Sequence, residues 1–534
     1  MKKRLFGCVA PDIAVFTAAV LFSAVVTWFI TGSCIDSDAS SELILAQHLA
    51  QTGQLLSRDW LYSTELRVVN TQLIYAPLFL LLSSWHAVRY VGTLLLQGIL
   101  VGAFCFYGRS IGLARRVILY SASLLLLPLS VCYGRIVLYN CYYVPHIALS
   151  LVMVALTFGG GASARSRSVR LLCLLVVSFA GGLGGVRQLM MTHAPVLLAI
   201  LLRFALEDLL LRQADAAHEK QRLGVLGRAI ASTALFFAGF AVNKLYLAVQ
   251  YTFSDYSTAP LRLLESELLN DVLYGYLHHF GFRDEITLLS PLGALSVLGA
   301  ALGVLAVVLA IVGAVRGVRE RALCRSLPQL MFLAFLFVTL GIFFFVGDDY
   351  YFVLYLTPTV VWAVPLFVTW ALEGFQSGSW LNLRRLLPLA AAAILLCNGV
   401  VNSVYLLSGE YFTQKYEGLV FQNREHRAQL EDAVAFLQAQ HYEVGYATFW
   451  NSNILTEMTD GAIRTVNITL DEETGEIAYH NWLTLLPNRD TAGKKVFLLL
   501  ENRQCAAAER SGALDGCAAV YHDALFTVYA PAQP

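Results

Sequence analysis

Asp36 and Asp38 flank Ser37 where the first apolar segment of the chain stops, and Glu42 follows four residues after Asp38. Asp59, Trp60, Tyr62, Glu65 and Arg67 come next in the same stretch. Carboxylates can take a proton from an attacking group or hold hydroxyls, and Trp and Tyr faces can pack on a sugar ring. Taken singly, these residues have plainer uses. An Asp before a helix accepts hydrogen bonds from the first turn, and Trp or Tyr anchors a chain at a membrane interface. The gathering of acids and aromatics in one loop of a sequence only 14% charged points instead to a polar cavity at a membrane surface. Glu42, Trp60, Tyr62 and Glu65 would line it on the sugar or acceptor side.

The elements that position these residues are predominantly apolar. Hydrophobic residues make up 57% of the 534, net charge is zero and mean hydropathy is +0.62, values of an integral membrane protein. The zero charge gives no sign of a nucleic-acid partner. Segments of membrane-crossing length lie near 12–32, 87–108, 117–133, 143–158, 170–185, 188–204, 228–249, 290–315, 327–346, 352–371 and 386–407, about eleven spans. The first is read as a signal anchor: its apolar run is too long for a cleaved leader.

Lys and Arg test this topology. They cluster in alternate loops, as in Arg109, Arg115 and Arg116, then Arg165, Arg167 and Arg170, then Arg316, Arg319, Arg321 and Arg325. The other loops hold Arg58, Arg67, Arg135, Arg187, Arg262 and Arg283, with Arg89 and Lys244 near span ends assigned to neither side. The positive-inside rule therefore predicts a cytoplasmic N-terminus and an extracytoplasmic C-terminus.

In the first outer loop, 33–86, the apolar positions Ala39, Leu43, Ala46 and Ala50 recur at helical spacing and Gly53 follows, which predicts an amphipathic interfacial helix. The run "TQLIYAPLFLLLSS", residues 71–84, is too short to cross and contains Pro77, so it reads as a juxtamembrane or re-entrant helix. Beyond residue 408 polar residues return. An amphipathic pattern in "NREHRAQLEDAVAFLQAQH" and strand-like runs at "EVGYATFW", "RTVNITL", "KKVFLLLE" and "LFTVYA" predict a small α/β domain. The expected division is a transmembrane domain over 1–407 and an extracytoplasmic domain over 408–534. Cys132 with Cys141, and Cys505 with Cys517, could each form a disulfide in an oxidising compartment, or remain buried thiols.

The Asp after the first span, the Ala-rich helix ending in "LAQTG", and the Pro-containing segment before "AVRYVGTLLLQG" resemble the GT-C glycosyltransferases of the protein-mannosyltransferase and aminoarabinose-transferase type. The resemblance covers roughly the first 190 residues and, beyond them, the general topology. It implies a donor sugar on a polyprenyl phosphate, an extracytoplasmic glycan, lipid or protein acceptor, and transfer with inversion in the plasma membrane. Counting back from Gly53 places the family Asp on Asp38, which would act as general base. Ala39 stands where the family usually has Glu, leaving Glu42 or Asp36 as substitutes. The leaving phosphate needs a cation, and Arg67, Arg89, Arg135 and Arg187 are the candidates near outer span ends.

Asp348 and Asp349, before Tyr350 and Tyr351, could shape the acceptor side or join Asp36 and Asp38 around a divalent cation. An acidic helix cap is the favoured reading; no cofactor is indicated for certain, and a divalent cation is the one left possible. No CxxC, HExxH, P-loop or dinucleotide-binding pattern occurs in the sequence. Two rivals to a transferase are a glycolipid transporter or flippase and a non-catalytic envelope assembly protein. A transporter would place its ionisable residues near the bilayer midplane and show repeated halves; here the acids lie at one interface.

Overall fold

The computed structural model describes residues 9–33, 36–63, 65–66, 68–160, 163–211, 216–254, 269–283, 286–346, 352–375, 383–408 and 424–532. Helix α1 (Val9–Ser33) is apolar along its length and leads to the interfacial helix α2 (Ser37–Thr52), which ends at Gly53 in the left-handed region. Asp36 takes the cap position of α2 with an extended backbone, and its side chain accepts from the Ala39 N–H. The cap of α2 is thus Asp36, and Asp38 sits in the first helical turn.

A short strand β1 (Trp60–Tyr62) follows, then α3 (Gln72–Phe79) with Pro77 inside it. The long α4 (Trp85–Ile111) packs against α1. Buried polar groups lock that pair. Gln97 donates to Thr27 Oγ1 at 3.0 Å and to the Leu138 carbonyl at 2.8 Å, and accepts from Ser23 at 3.1 Å. Interhelical hydrogen bonds of this kind hold helices together where lipid removes the hydrophobic drive.

The expected span over 117–133 is divided. Helix α5 (Arg115–Leu125) has 11 residues, about 16 Å at 1.5 Å per residue, well short of a hydrocarbon core. Pro128 lies in the break that follows. The chain resumes as α6 (Val131–Tyr133), runs into a wide π-type turn over Gly134–Tyr139, and bends by 84° into α7 (Val144–Phe158).

The bundle continues with α8 (Ala164–Leu183), α9 (Ala194–Leu210) and α10 (Ala216–Val242). After strand β2 (Thr252–Phe253) come α11 (Leu269–His278), α12 (Pro291–Arg319), α13 (Leu323–Val346), α14 (Phe352–Leu356), α15 (Pro358–Phe375) and α16 (Leu383–Ser408). Among the described residues nine helices are long and apolar enough to cross a membrane, and the bent pair would be a tenth. The protein is a multi-pass membrane protein.

The C-terminal part is a sheet domain. Its elements are α17 (Arg424–Ala439), β3 (Val444–Thr448), α18 (Phe449–Met458), β4 (Arg464–Leu470), β5 (Ile477–Tyr479), β6 (Thr484–Leu485), β7 (Val496–Glu501), α19 (Asn502–Arg510), β8 (Cys517–His522) and β9 (Phe526–Pro531). Six strands form one sheet in the order β5-β4-β3-β7-β9-β8, with β3 parallel to both β4 and β7. The four strand-like runs of the sequence became β3, β4, β7 and β9, whereas β5, β6 and β8 carry no strong alternation and were not expected.

Cys132, Cys141, Cys505 and Cys517 are free thiols, the second of the two alternatives their spacing left open. The Cys141 thiol donates to the Leu138 carbonyl and that of Cys505 to the Glu501 carbonyl. Each is engaged within its own turn.

Two connections seat the sheet domain on the first loop. Strand β1 pairs with β2 on one side and with β6 on the other, Leu61 facing both Thr252 and Thr484. Helix α18 lies on α2, where the Ser37 hydroxyl donates to the Phe449 carbonyl and Asn453 Nδ2 donates to the Ser37 carbonyl at 3.4 Å.

Candidate active site

The centre of the site is Asp36, which α2 needs as its cap and which the bend before α7 surrounds with donors. Arg135 lies on the wide turn and donates from Nε at 2.9 Å and from Nη2 to Asp36 Oδ2. Asn140 Nδ2 reaches the same oxygen at 2.8 Å. The other oxygen accepts from the Tyr142 hydroxyl at 2.6 Å and from the Ala39 N–H at 2.7 Å. The bend makes this convergence possible: Cys141, between Asn140 and Tyr142, has φ of 59° and turns the chain so that both neighbours reach one carboxylate.

Burial alone would push the Asp36 carboxyl up. The Arg135 guanidinium, the Tyr142 hydroxyl and the Ala39 N–H outweigh it and hold the group below the usual carboxylate range. A carboxylate held this way keeps its charge and is a poor proton acceptor. Asp38, two residues on, is only half-buried.

Glu42 is bound to the start of α3. It accepts from Asn70 Nδ2 at 3.3 Å and from the Thr71 hydroxyl, so it fastens α2 to α3. Trp60 and Tyr62 do not line an open cavity, contrary to expectation. Both are at most 5% exposed, because β1 is the central strand of the small three-stranded sheet and is covered on both faces. The Tyr62 ring packs edge-on against Tyr251 at 5.7 Å, and its oxygen accepts the Ser57 N–H at 3.0 Å.

Glu65 reaches across to the turn between α8 and α9. Its Oε1 accepts the Val186 N–H at 3.0 Å, while Oε2 is buried without a hydrogen bond. Gly185 has φ of 95°, and a Cβ there would come within 2.7 Å of the Glu65 carboxyl carbon. Glycine therefore lets this turn accept the acid.

The next residue but one is Arg187, whose guanidinium lies 5.2 Å over the Tyr143 ring. Tyr142 and Tyr143 are thus adjacent links, one to Asp36 and one to Arg187. Burial works against the charge of Arg187, but Tyr143 and Glu65 more than compensate and raise its pKa above the ordinary value. Among the described residues no carboxylate forms an ion pair with it.

The other arginine candidates fare differently. Arg89 is not open to a phosphate: it is 2% exposed and donates from Nε and Nη2 to the two oxygens of Glu457, at the end of α18. Asp460 nearby accepts the Trp85 N–H at 2.8 Å, so the Arg89 end of α4 is a docking point for the sheet domain. Arg135 belongs to Asp36. Arg67, Asp348 and Asp349 lie outside the described residues. Among the described residues no group of three or more His, Cys, Asp or Glu side chains is arranged to hold a metal ion.

Asn140, Tyr142, Tyr143 and Glu457 escaped the sequence reading. The first three had a signal, since "YNCYY" interrupts an apolar run with hydrogen-bonding groups. Glu457 had none, being one acid in a polar domain far along the chain.

No protein-family model and no curated protein matches the sequence. Among solved structures, the chain is similar to ArnT from Cupriavidus metallidurans in the apo state, with a TM-score of 0.51 and 12% identity over 97% of each chain. The same protein bound to undecaprenyl phosphate gives 0.48 at 12% identity over 98% of each chain. The Archaeoglobus fulgidus oligosaccharyltransferase tethered to an acceptor peptide gives 0.48 at 11% identity, over 97% of this chain and 74% of that one. With its polytopic bundle, interfacial first-loop helices and C-terminal α/β domain, the chain shares the fold of the apo ArnT structure.

Proposed function

We propose that the protein is a membrane glycosyltransferase that moves a sugar from a polyprenyl-phosphate donor to an acceptor at the face carrying the sheet domain. The observation that carries this reading is the pairing of unlike groups at one end of the bundle. Asp36 is saturated with donors, Asp38 beside it is half-buried, and Arg187 holds a guanidinium free of ion pairs among the described residues. The donor class is drawn from the fold shared with ArnT, which has been crystallised with undecaprenyl phosphate.

In this reading Asp38 takes the proton from an acceptor hydroxyl or amine as the acceptor forms its bond to the anomeric carbon. The bond from that carbon to the phosphate oxygen breaks, and its electron pair leaves with the polyprenyl phosphate. Arg187 offsets the charge that grows on the leaving oxygen. One displacement inverts the anomeric centre. Asp36 positions the start of α2, and therefore Asp38, without itself accepting the proton. Glu65, beside Arg187, faces the donor headgroup, and Glu42 holds the floor formed by α2 and α3.

The direct test is transfer from a panel of radiolabelled polyprenyl-phosphate sugars by the purified protein, with Asp38→Asn and Asp36→Asn compared at matched folding. Loss of transfer in Asp38→Asn with its melting temperature unchanged is the expected result. Equal transfer by wild type and Asp38→Asn would remove Asp38 from the chemistry.

The charge pattern of the loops supports a plasma-membrane orientation with the N-terminus inside and the sheet domain outside. Alkaline phosphatase fused after Pro534 should then be active in intact cells. An inactive fusion, with the same fusion active on an established outer loop of another protein, would reverse the topology.

A further inference from the structure

The opposite end of the bundle holds a cavity that the proposed reaction does not use. Helix α7 starts beside the Asp36 network and runs 15 residues, about 22 Å, to Phe158. There Phe158, Gly159 and Gly160 meet the first two turns of α8, the middle of α9 and the first half of α10 around a cavity of about 310 Å³. Arg167, Arg170, Arg203, Lys220, Arg222 and Arg228 all line it.

These cations are not equivalent. Arg203 is paired with Glu207 at 2.8 Å, and Arg222 with Asp208 at 2.6 Å and Glu219 at 3.6 Å. Among the described residues, Arg167, Arg170, Lys220 and Arg228 form no ion pair. Arg228 donates from Nε to the Thr157 carbonyl at 2.8 Å, which satisfies one N–H but not its charge.

Arg170 is the most telling. Its Nη1 is buried and has no hydrogen-bond partner, and it occupies space that any Cβ at position 159 would take, 2.0 Å from where that atom would stand. A buried guanidinium N–H without an acceptor is costly, and a phosphate oxygen is the acceptor whose charge and geometry suit it. Between the cations the wall is apolar, lined by Leu156, Ile200, Phe204 and Val225.

We propose that this cavity binds the phosphate headgroup of an anionic phospholipid, its acyl chains lying along the apolar wall, in the leaflet opposite the Asp36 site. The positive-inside pattern assigns this end to the cytoplasmic leaflet, and basic pockets between transmembrane helices on that side are suited to anionic headgroups. The proposal does not depend on the transferase reading. A soluble phosphate compound shares the headgroup chemistry, and the test separates the two.

The full-length protein in detergent is titrated with phosphatidylglycerol and, separately, with phosphatidylcholine of the same chains, and bound lipid is counted by native mass spectrometry. The variants are Arg170→Gln combined with Arg228→Gln, and Arg316→Gln as a control at a cation outside the cavity that is already paired with Glu320 and Glu373. The expected result is at least a tenfold preference for phosphatidylglycerol, lowered about tenfold by the double substitution and unchanged by the control.

Glycerol 3-phosphate is the third arm. Binding as tight as that of the lipid would overturn the lipid assignment in favour of a soluble phosphate ligand. Equal retention of the two lipids, or equal loss in the control and the double variant, would overturn the site. The lipid comparison and the glycerol 3-phosphate arm use wild type alone, so they decide the matter even if the double variant does not fold.

Discussion

Among the described residues, two buried arginine–carboxylate pairs lie at the same end of the bundle, and they are built differently. Arg89 and Glu457 meet with two nitrogens against two oxygens, one partner from α4 and the other from α18. Asp36 meets Arg135 as well as Asn140, Tyr142 and the Ala39 N–H, so donors from α2, the wide turn and the bend before α7 all end on one carboxylate. The first arrangement is what docking requires: one charge matched by one charge. The second holds a helix start, an arginine and a tyrosine in a fixed relation, which is what a site needs for the residues beside it. A buried pair contributes little net stability compared with an apolar replacement, but losing one partner is expensive. The pairs should therefore respond alike to single substitutions and differently to apolar repacking.

The largest contrast should be in activity. Asp38→Asn removes the proposed base next to the Asp36 pair and is expected to lower transfer by about 10²–10⁴-fold at unchanged melting temperature. Glu457→Gln disturbs only the docking pair, so transfer per folded molecule should stay near wild type. If Glu457→Gln costs as much as Asp38→Asn at matched folding, the division into a site pair and a docking pair fails.

Stability comes next. Arg135→Gln and Glu457→Gln each leave a buried charge uncompensated and should each cost about 3–5 kcal/mol in denaturant unfolding. Replacing both docking partners, Arg89→Met with Glu457→Leu, should recover most of that loss. Arg135→Met with Asp36→Leu should not, because Asn140, Tyr142 and the Ala39 N–H would lose their acceptor. Equal recovery in the two double variants would make the pairs the same kind of object.

A smaller effect is expected at the cation outside both pairs. Arg187→Gln should lower kcat/KM for the lipid-linked donor by about tenfold, or 1.4 kcal/mol, with Arg187→Lys intermediate. A loss that falls entirely on the acceptor KM would move Arg187 away from the phosphate.

The smallest effect is on pH dependence. The Asp36 pKa is depressed in the folded protein, so its contribution is complete above the unfolded value of about 3.9 and is lost as pH falls through the lower folded value. Wild-type stability should therefore decline more steeply than that of Asp36→Asn below about pH 4. Parallel acid curves would show that Asp36 has no depressed pKa.

Much of the fold was legible because membrane insertion imposes strong local rules. Long apolar runs, the Gly53 helix stop and the short Pro77 segment each express a constraint that acts within about 20 residues. The division of 117–133 was not legible from hydropathy, since apolar residues continue through the break and only Pro128 and Gly134 hint at it. The site was legible in its acids and less so in its partners. Asp36 and Asp38 stood out because charge is rare at a membrane border, whereas Trp60 and Tyr62 misled: composition cannot tell a ring that lines a cavity from one covered by β2 and β6.

The sequence by itself determined the membrane character, the interfacial helix after the first span, the α/β character of the C-terminal part and the presence of carboxylates and arginines at one interface. These follow from hydropathy, periodicity and helix-stop chemistry, all of which are local. Only the tertiary structure decided which arginine answers which acid. Arg135 goes to Asp36 across 99 positions and Arg89 to Glu457 across 368, leaving Arg187 over Tyr143. Electrostatic pairing depends on distance in space, and a chain that bends at Cys141 and returns through a second domain sets those distances without writing them into any short stretch of sequence.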